Sequence, residues 1–213
     1  MAYIELEHVS KTLAGKAVLH DISLRIERGE TVGFVGANGS GKTMLFRAIA
    51  GLMHTDGRII VDGKALGEEI SFPPDMGIMI ENVGLWPELT GKKSLQILAK
   101  ARNRIGEREI CEAITRVGLD PQDKRPFRKY SLGMKQRMVL AQAMMEQPEL
   151  LILDEPTNAL DGDGVMLFRD RIREEKARNT TILLASHNQE DIRELCDRVL
   201  FMSGGRIVQE GGV

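Results

Sequence analysis

One eight-residue segment, Gly36-Ala37-Asn38-Gly39-Ser40-Gly41-Lys42-Thr43, limits what this chain can fold into more than any other stretch. Three glycines at this spacing let the backbone curl until successive N–H groups point inward at an anion. Lys42 adds a positive charge for the β- and γ-phosphates of a nucleotide, and the Thr43 hydroxyl can ligate Mg²⁺. Glycine is common here, 22 of 213 residues, so the spacing alone carries little weight. The flanks decide. Thr31-Val32-Gly33-Phe34-Val35 is a β-rich apolar run entering the loop, and Met44 to Ala50 leaves it as a helix whose N-terminal dipole faces the anion. Strand, glycine loop and helix in that order are a P-loop, and a P-loop predicts an α/β fold that binds a nucleoside triphosphate.

A second run, Leu150-Leu151-Ile152-Leu153, ends in the adjacent carboxylates Asp154 and Glu155. Four apolar residues in a row fit a strand buried on both faces, and the end of such a strand is where an open parallel sheet holds its ligand. Ile22, Leu24 and Ile26 alternate with Ser23, Arg25 and Glu27, which predicts a half-exposed antiparallel strand over 19–27. The alternating residues 1–7 read as another strand, and 58–62 and 76–80 as two more. From about 89 to 148 the pattern turns helical, with Ile110, Ala113, Ile114 and Val117 at i, i+3, i+4 and i+7. The α/β rhythm then returns, with strands at 150–154, 181–186 and 199–202 and helices near 164–177 and 189–196. The expectation is one domain over 1–213. Its P-loop α/β core has a mainly parallel sheet and an N-terminal antiparallel β subdomain (1–88 and 149–213), interrupted by an inserted α-helical subdomain (89–148).

Composition sets the remaining bounds. A chain of this length buries about 70% of its unfolded surface and needs no disulfide or metal to hold together. Aromatics are scarce at 4%, and eleven methionines fill space instead, with Met134, Met138 and Met145 predicted to be core. A net charge of −2 gives no footprint for a nucleic-acid partner. Cys111 and Cys196 lack close-spaced partners, which suits a reducing compartment, and both are expected to be core thiols. The N-terminus lacks the basic and apolar regions of a signal peptide, and no apolar run approaches 18 residues, so the chain is expected in the cytosol or docked on something that is not. His8, His20 and His54 have no convergent partners and receive no role.

Taken together, these residues resemble the nucleotide-binding subunits of ATP-binding cassette (ABC) transporters over essentially the whole chain. Five landmarks occur in the family's order: the P-loop; Met76 to Glu81 with Leu85 to Thr90 as the Q-loop region; Tyr130-Ser131-Leu132-Gly133-Met134-Lys135-Gln136-Arg137 as the signature; Asn158-Ala159-Leu160-Asp161 as the D-loop; and Ser186-His187 as the switch loop. The resemblance implies that Thr43 and Asp154 hold Mg²⁺, that Glu155 acts as base on the attacking water, and that His187 contacts the γ-phosphate. It also implies a sandwich of two ATPs between two subunits, each P-loop facing the partner's Ser131 and Gly133, with Asp161 at that interface. The partners are then a second ATPase subunit, a homodimer by expectation, and a separately encoded membrane permease. The chain would sit on the inner face of the cell membrane, with no nucleic acid involved.

Three departures from the family pattern are informative. Glu81 stands where a glutamine is usual. Its carboxylate can still reach the metal, but it adds negative charge near the phosphates. The signature carries Leu132 in place of a glycine, though Ser131 and Gly133 remain. Together with Ile80-Glu81-Asn82, this signature resembles the branch of exporters associated with bacitracin and lantibiotic resistance. Leu13 aligns where an aromatic ring stacks on adenine, which predicts weak discrimination between bases. Two other functions stay open on the sequence: a soluble ABC-type ATPase clamping a ribosome, DNA or a protein complex, and a catalytically impaired regulatory cassette. The first lacks a second cassette and a coiled-coil insertion in its favour. Against the second stand the intact Lys42, Asp154, Glu155 and His187.

Overall fold

The computed structural model describes residues 2–80 and 84–212. Among the described residues, two sheets and six α-helices organise the chain. β1 (Ala2–Leu13), β2 (Lys16–Glu27), β4 (Asp56–Val61) and β5 (Lys64–Ala65) form an antiparallel sheet in the order β2-β1-β4-β5. The larger sheet runs β10-β9-β3-β8-β7-β6, from β3 (Thr31–Val35), β6 (Met76–Met79), β7 (Leu150–Asp154), β8 (Thr181–Ala185), β9 (Arg198–Ser203) and β10 (Arg206–Gly212). Every pairing in it is parallel except β9 with β10. The alternation read over 19–27 is the inward face of β2, where Leu19, Ile22, Leu24 and Ile26 are buried.

The central strands are apolar throughout because the sheet is covered on both faces. Leu151 and Leu153 of β7 and Ile182 and Leu184 of β8 point into one core, with the helices α2 (Gly91–Arg102), α3 (Glu107–Arg116) and α4 (Leu132–Met144). Phe168 and Ile172 of α5 (Gly162–Ala177) and Leu195 of α6 (Gln189–Leu195) join that core. Their neighbours Leu150, Ile152, Leu183 and Ala185 point into a second core, shared with the antiparallel sheet and with α1 (Lys42–Ile49). This is period-two alternation applied to a strand with no solvent face. In the second core Phe34 of β3 and Phe46 of α1 meet edge to face, with centroids 5.1 Å apart. The helix leaving the P-loop is thereby fixed to the strand entering it, and each ring contributes about 1.5–3 kcal/mol by leaving water.

No strand lies between 91 and 148; α2, α3, a 3₁₀ turn at Phe127–Lys129 and α4 fill it. Thr90 caps α2, Ser131 α4, Asp161 α5 and Asn188 α6, each side-chain oxygen accepting from a first-turn N–H. Two strands went unforeseen: β5 is only two residues long, and β10 is polar, exposed and glycine-ended, with no alternation to reveal it. Met138 and Met145 are core and Met134 is half-buried. Of the two thiols only Cys196 is core, and burial pushes its pKa up to about 12. Cys111 is half-buried on α3 beside Lys92, because its position falls at the margin of the apolar face set by Ile110 and Ile114. Among the described residues no helix is long and apolar enough to cross a membrane.

Candidate nucleotide-binding site

Parallel strands carry their C-terminal ends to one edge, and in the order β3-β8-β7 this edge collects the P-loop, the segment Ser186-His187 and the pair Asp154-Glu155. A cavity of about 840 Å³ opens there. The loop residues Asn38 to Thr43 line it, with Met44 and Arg47 of α1, Asp154, Glu155, Asn158 and His187. β2 contributes Lys16, Ala17, Val18 and His20, and the turn between β9 and β10 contributes Gly204 and Gly205.

The loop's shape depends on backbone that only glycine adopts readily. Gly41, just before α1, sits at φ 109°, and a Cβ there would lie 3.0 Å from Val18 O and 3.1 Å from Gly205 Cα. Gly205, at φ 78°, accepts at its carbonyl from His20 N at 2.8 Å and donates from its own N–H to Ser40 O at 2.8 Å. The Gly204-Gly205 turn thus seats the P-loop against β2. The glycine pair reads as a turn in the sequence; the fold adds that this turn braces the loop. His20, which sequence reasoning left without a role, lines the cavity for the same reason.

Charge is concentrated at the loop's end. The Lys42 ammonium donates to Gly36 O at 2.6 Å and Ala37 O at 3.4 Å, with the residue 6% exposed. Thr43 Oγ1 donates to Asp154 Oδ2 at 2.5 Å. A hydroxyl and a carboxylate in contact at a phosphate-binding loop are the hard oxygen donors that Mg²⁺ takes, one or two from protein and the rest from phosphate and water. The donor set therefore fits the ion that the sequence implies.

Glu155 follows directly, in the left-handed region at φ 50°, with its N–H donating to Ala185 O at 2.9 Å. Its Oε2 accepts from His187 N at 3.2 Å. His187 Nε2 lies 3.1 Å from Glu155 Oε1 and 3.0 Å from Asn38 Oδ1, yet the Oε1 accepts no hydrogen bond in this geometry. Burial raises the Glu155 carboxyl pKa above the ordinary 4.5, opposed by the nearby His187 and Lys42. A buried carboxylate with lone pairs to spare and an elevated pKa is suited to accept a proton from water.

The other sequence-predicted residues lie elsewhere. Ser131 is exposed, and its hydroxyl accepts from Met134 N at 3.2 Å to cap α4. Gly133 is half-buried, its missing Cβ 3.1 Å from Ala159 O. Asp161 caps α5 through Gly164 N at 2.8 Å. None of the three lines the cavity, whereas their neighbour Asn158 does. Leu13 ends β1, paired with Lys16 and 40% exposed, and the cavity wall on that side is made by Lys16, Ala17 and Val18. Glu81 lies outside the described residues. Sequence reasoning missed Gln136, whose amide donates to Glu155 O at 3.2 Å and Pro156 O at 3.1 Å, tying α4 to the segment after β7.

Comparisons with known proteins bear on the family and the fold. The family model described as ABC transporter matches residues 19–158. An ABC transporter ATP-binding protein of Bacillus subtilis, YybJ, is 44% identical over 96% of this chain and 94% of its own length. The bacitracin transport ATP-binding protein BcrA of Enterococcus faecalis is 37% identical, over 97% of this chain and 68% of its own. Among solved structures, the dimeric ABC transporter cassette MJ0796 superposes with a TM-score of 0.89 across 98% of both chains, at 20% identity, a likeness of fold. The chain therefore belongs to the ABC transporter family, as an ATP-binding ATPase subunit.

Proposed function

We propose that this ATPase hydrolyses MgATP as one half of a two-chain nucleotide sandwich and uses the cycle to drive export through a separate membrane permease. The P-loop amides and Lys42 take the β- and γ-phosphates, and Thr43 and Asp154 hold Mg²⁺, with Glu81 contributing to its charge balance. The ion supplies charge neutralisation at the phosphates. Glu155 orients and deprotonates the attacking water, and His187 meets the γ-phosphate. Ser131 and Gly133 serve the nucleotide of the facing subunit, where the start of α4 presents its first N–H groups to phosphate. Asp161 lies at the join. Phosphoryl transfer depends mainly on positioning and charge, and these groups supply both.

The carrying observation is the convergence on one cavity of the P-loop, the Thr43–Asp154 pair and a Glu155 oxygen that accepts no hydrogen bond. The similarity to a bacitracin transport protein supports a peptide antibiotic as cargo and the inner face of the membrane as the place of work. The test is Glu155→Gln, which keeps shape and removes the base. Turnover should fall by about 10²-fold or more while MgATP binding persists and the dimer accumulates. Undiminished turnover would remove Glu155 from the role of base. Copurification of a membrane-spanning protein with the tagged chain tests the permease, and recovery on ribosomes alone would refute it.

A further inference from the structure

Glu155 and His187 sit on different crossovers, one after β7 and one after β8. Below both lies Asp191 of α6, with 0% exposure. Its Oδ2 accepts from Thr157 Oγ1 at 2.9 Å and from Ser186 Oγ at 3.5 Å, and its Oδ1 accepts from Arg169 Nε at 2.8 Å. Ser186 Oγ also accepts from Asn188 N at 3.0 Å, closing the turn that begins α6. One buried carboxylate therefore joins the residue two beyond Glu155 to the residue immediately before His187. Arg169 of α5 neutralises it and pairs with Glu190 at 3.0 Å, so the charge is matched inside the core.

Such a link answers a mechanical need. Glu155 holds a left-handed backbone that a side-chain-bearing residue adopts only when its surroundings impose it. Ala185 O and the Gln136 amide constrain it from two sides. Thr157 to Asp191 provides the third, a side-chain link to Ser186 beside the backbone bond from Glu155 to Ala185 O. The contact of Glu155 with His187, at 3.1 and 3.2 Å, lies across the gap that this link spans.

We propose that Asp191 is a positioning residue for ATP hydrolysis: through Thr157 and Ser186 it holds the Glu155 carboxylate and the His187 imidazole in register. The proposal rests on the reading of Glu155 as base. It makes a polar core contact part of the catalytic geometry rather than an anchor for α6.

Removing Asp191 takes from Arg169 its buried partner and leaves it only Glu190 and Glu194 nearer the surface, a charge imbalance in the core that would confound the test, so the informative variants are at Thr157. Thr157→Val keeps the shape and loses the hydroxyl, while Asp191 retains Arg169 and Ser186. Thr157→Ser keeps the hydroxyl. In steady-state assays of the full chain, Thr157→Val should lower kcat for MgATP by about tenfold to 10²-fold, the cost of a misplaced group. KM should change less than about twofold, because binding at the P-loop is untouched. Thr157→Ser should recover most of the rate. Wild-type kcat in Thr157→Val, an equal loss in Thr157→Ser, or a KM that rises in step with the lost rate would each overturn the proposal. Glu155→Gln assayed alongside separates the two claims. If it is inactive and Thr157→Val is not, positioning fails alone; if it turns over normally, the base and the link built on it fail together.

Discussion

At the scale of single residues the site turns on Glu155, whose identity and whose behaviour come from different sources. Four apolar residues ending in two acids already mark it in the sequence. Its elevated pKa and its left-handed backbone were not legible there, because both arise from burial and from partners such as Ala185, Gln136 and His187 that lie far along the chain. The shift has a consequence for stability. A carboxyl whose folded pKa lies above its unfolded value binds its proton more tightly in the fold, so its contribution is complete below the ordinary pKa of 4.5 and is lost as pH rises through the folded pKa. A glutamine amide in its place cannot titrate. The melting temperature of Glu155→Gln, measured without nucleotide, should therefore rise relative to the wild type from pH 4.5 upward and level off above the folded pKa. A difference that shrinks over that interval would mean that His187 and Lys42 outweigh burial.

At the scale of elements, strands and helices with strong periodicity were legible, because a strand covered on both faces and a helix covered on one leave unmistakable patterns. β10 was not, since an exposed edge strand need bury nothing. The Gly204-Gly205 turn beside it read as punctuation, and only the closed sheet shows it bracing the P-loop. The hairpin of β1 and β2 carries the corresponding lesson for the base. Its cavity wall is Lys16, Ala17 and Val18, and among the lining residues the His20 imidazole is the sole ring on that side. Nothing there offers a broad stacking face, so ATP and GTP should bind with affinities within a few-fold of each other. Leu13 is exposed at the end of β1, one hairpin rung from Lys16. Leu13→Tyr should tighten ATP binding by about 1–3 kcal/mol, about five- to 150-fold, where Leu13 faces the base as its place in the sequence implies. Equilibrium titration of both nucleotides with both proteins checks this, and an unchanged affinity in the variant would place the base elsewhere.

At the scale of the whole molecule, one chain gathers the P-loop, the paired acids and His187 at a single edge and leaves Ser131 and Gly133 outside. Ser131 and Gly133 stand at the start of α4, and neither lines the cavity that holds Lys42 and Glu155. Linear order could place all of these on elements; it could not say which share a cavity, because β8 is inserted between β3 and β7 only in space. A second copy is the proposed supplier of the missing part, and complementation decides the matter. Lys42→Ala disables a chain's own P-loop and spares its signature, whereas Ser131→Arg blocks the signature and spares the P-loop. Each homodimer of either variant then has two defective sites. A mixed dimer has one doubly defective site and one that is intact, formed by the P-loop of the Ser131→Arg chain and the signature of the Lys42→Ala chain. Random pairing makes about half of all dimers mixed, so the mixture should regain up to about a quarter of wild-type turnover from two inactive preparations. A site completed within one chain predicts no regain at any mixing ratio, since neither variant would then carry what the other lacks.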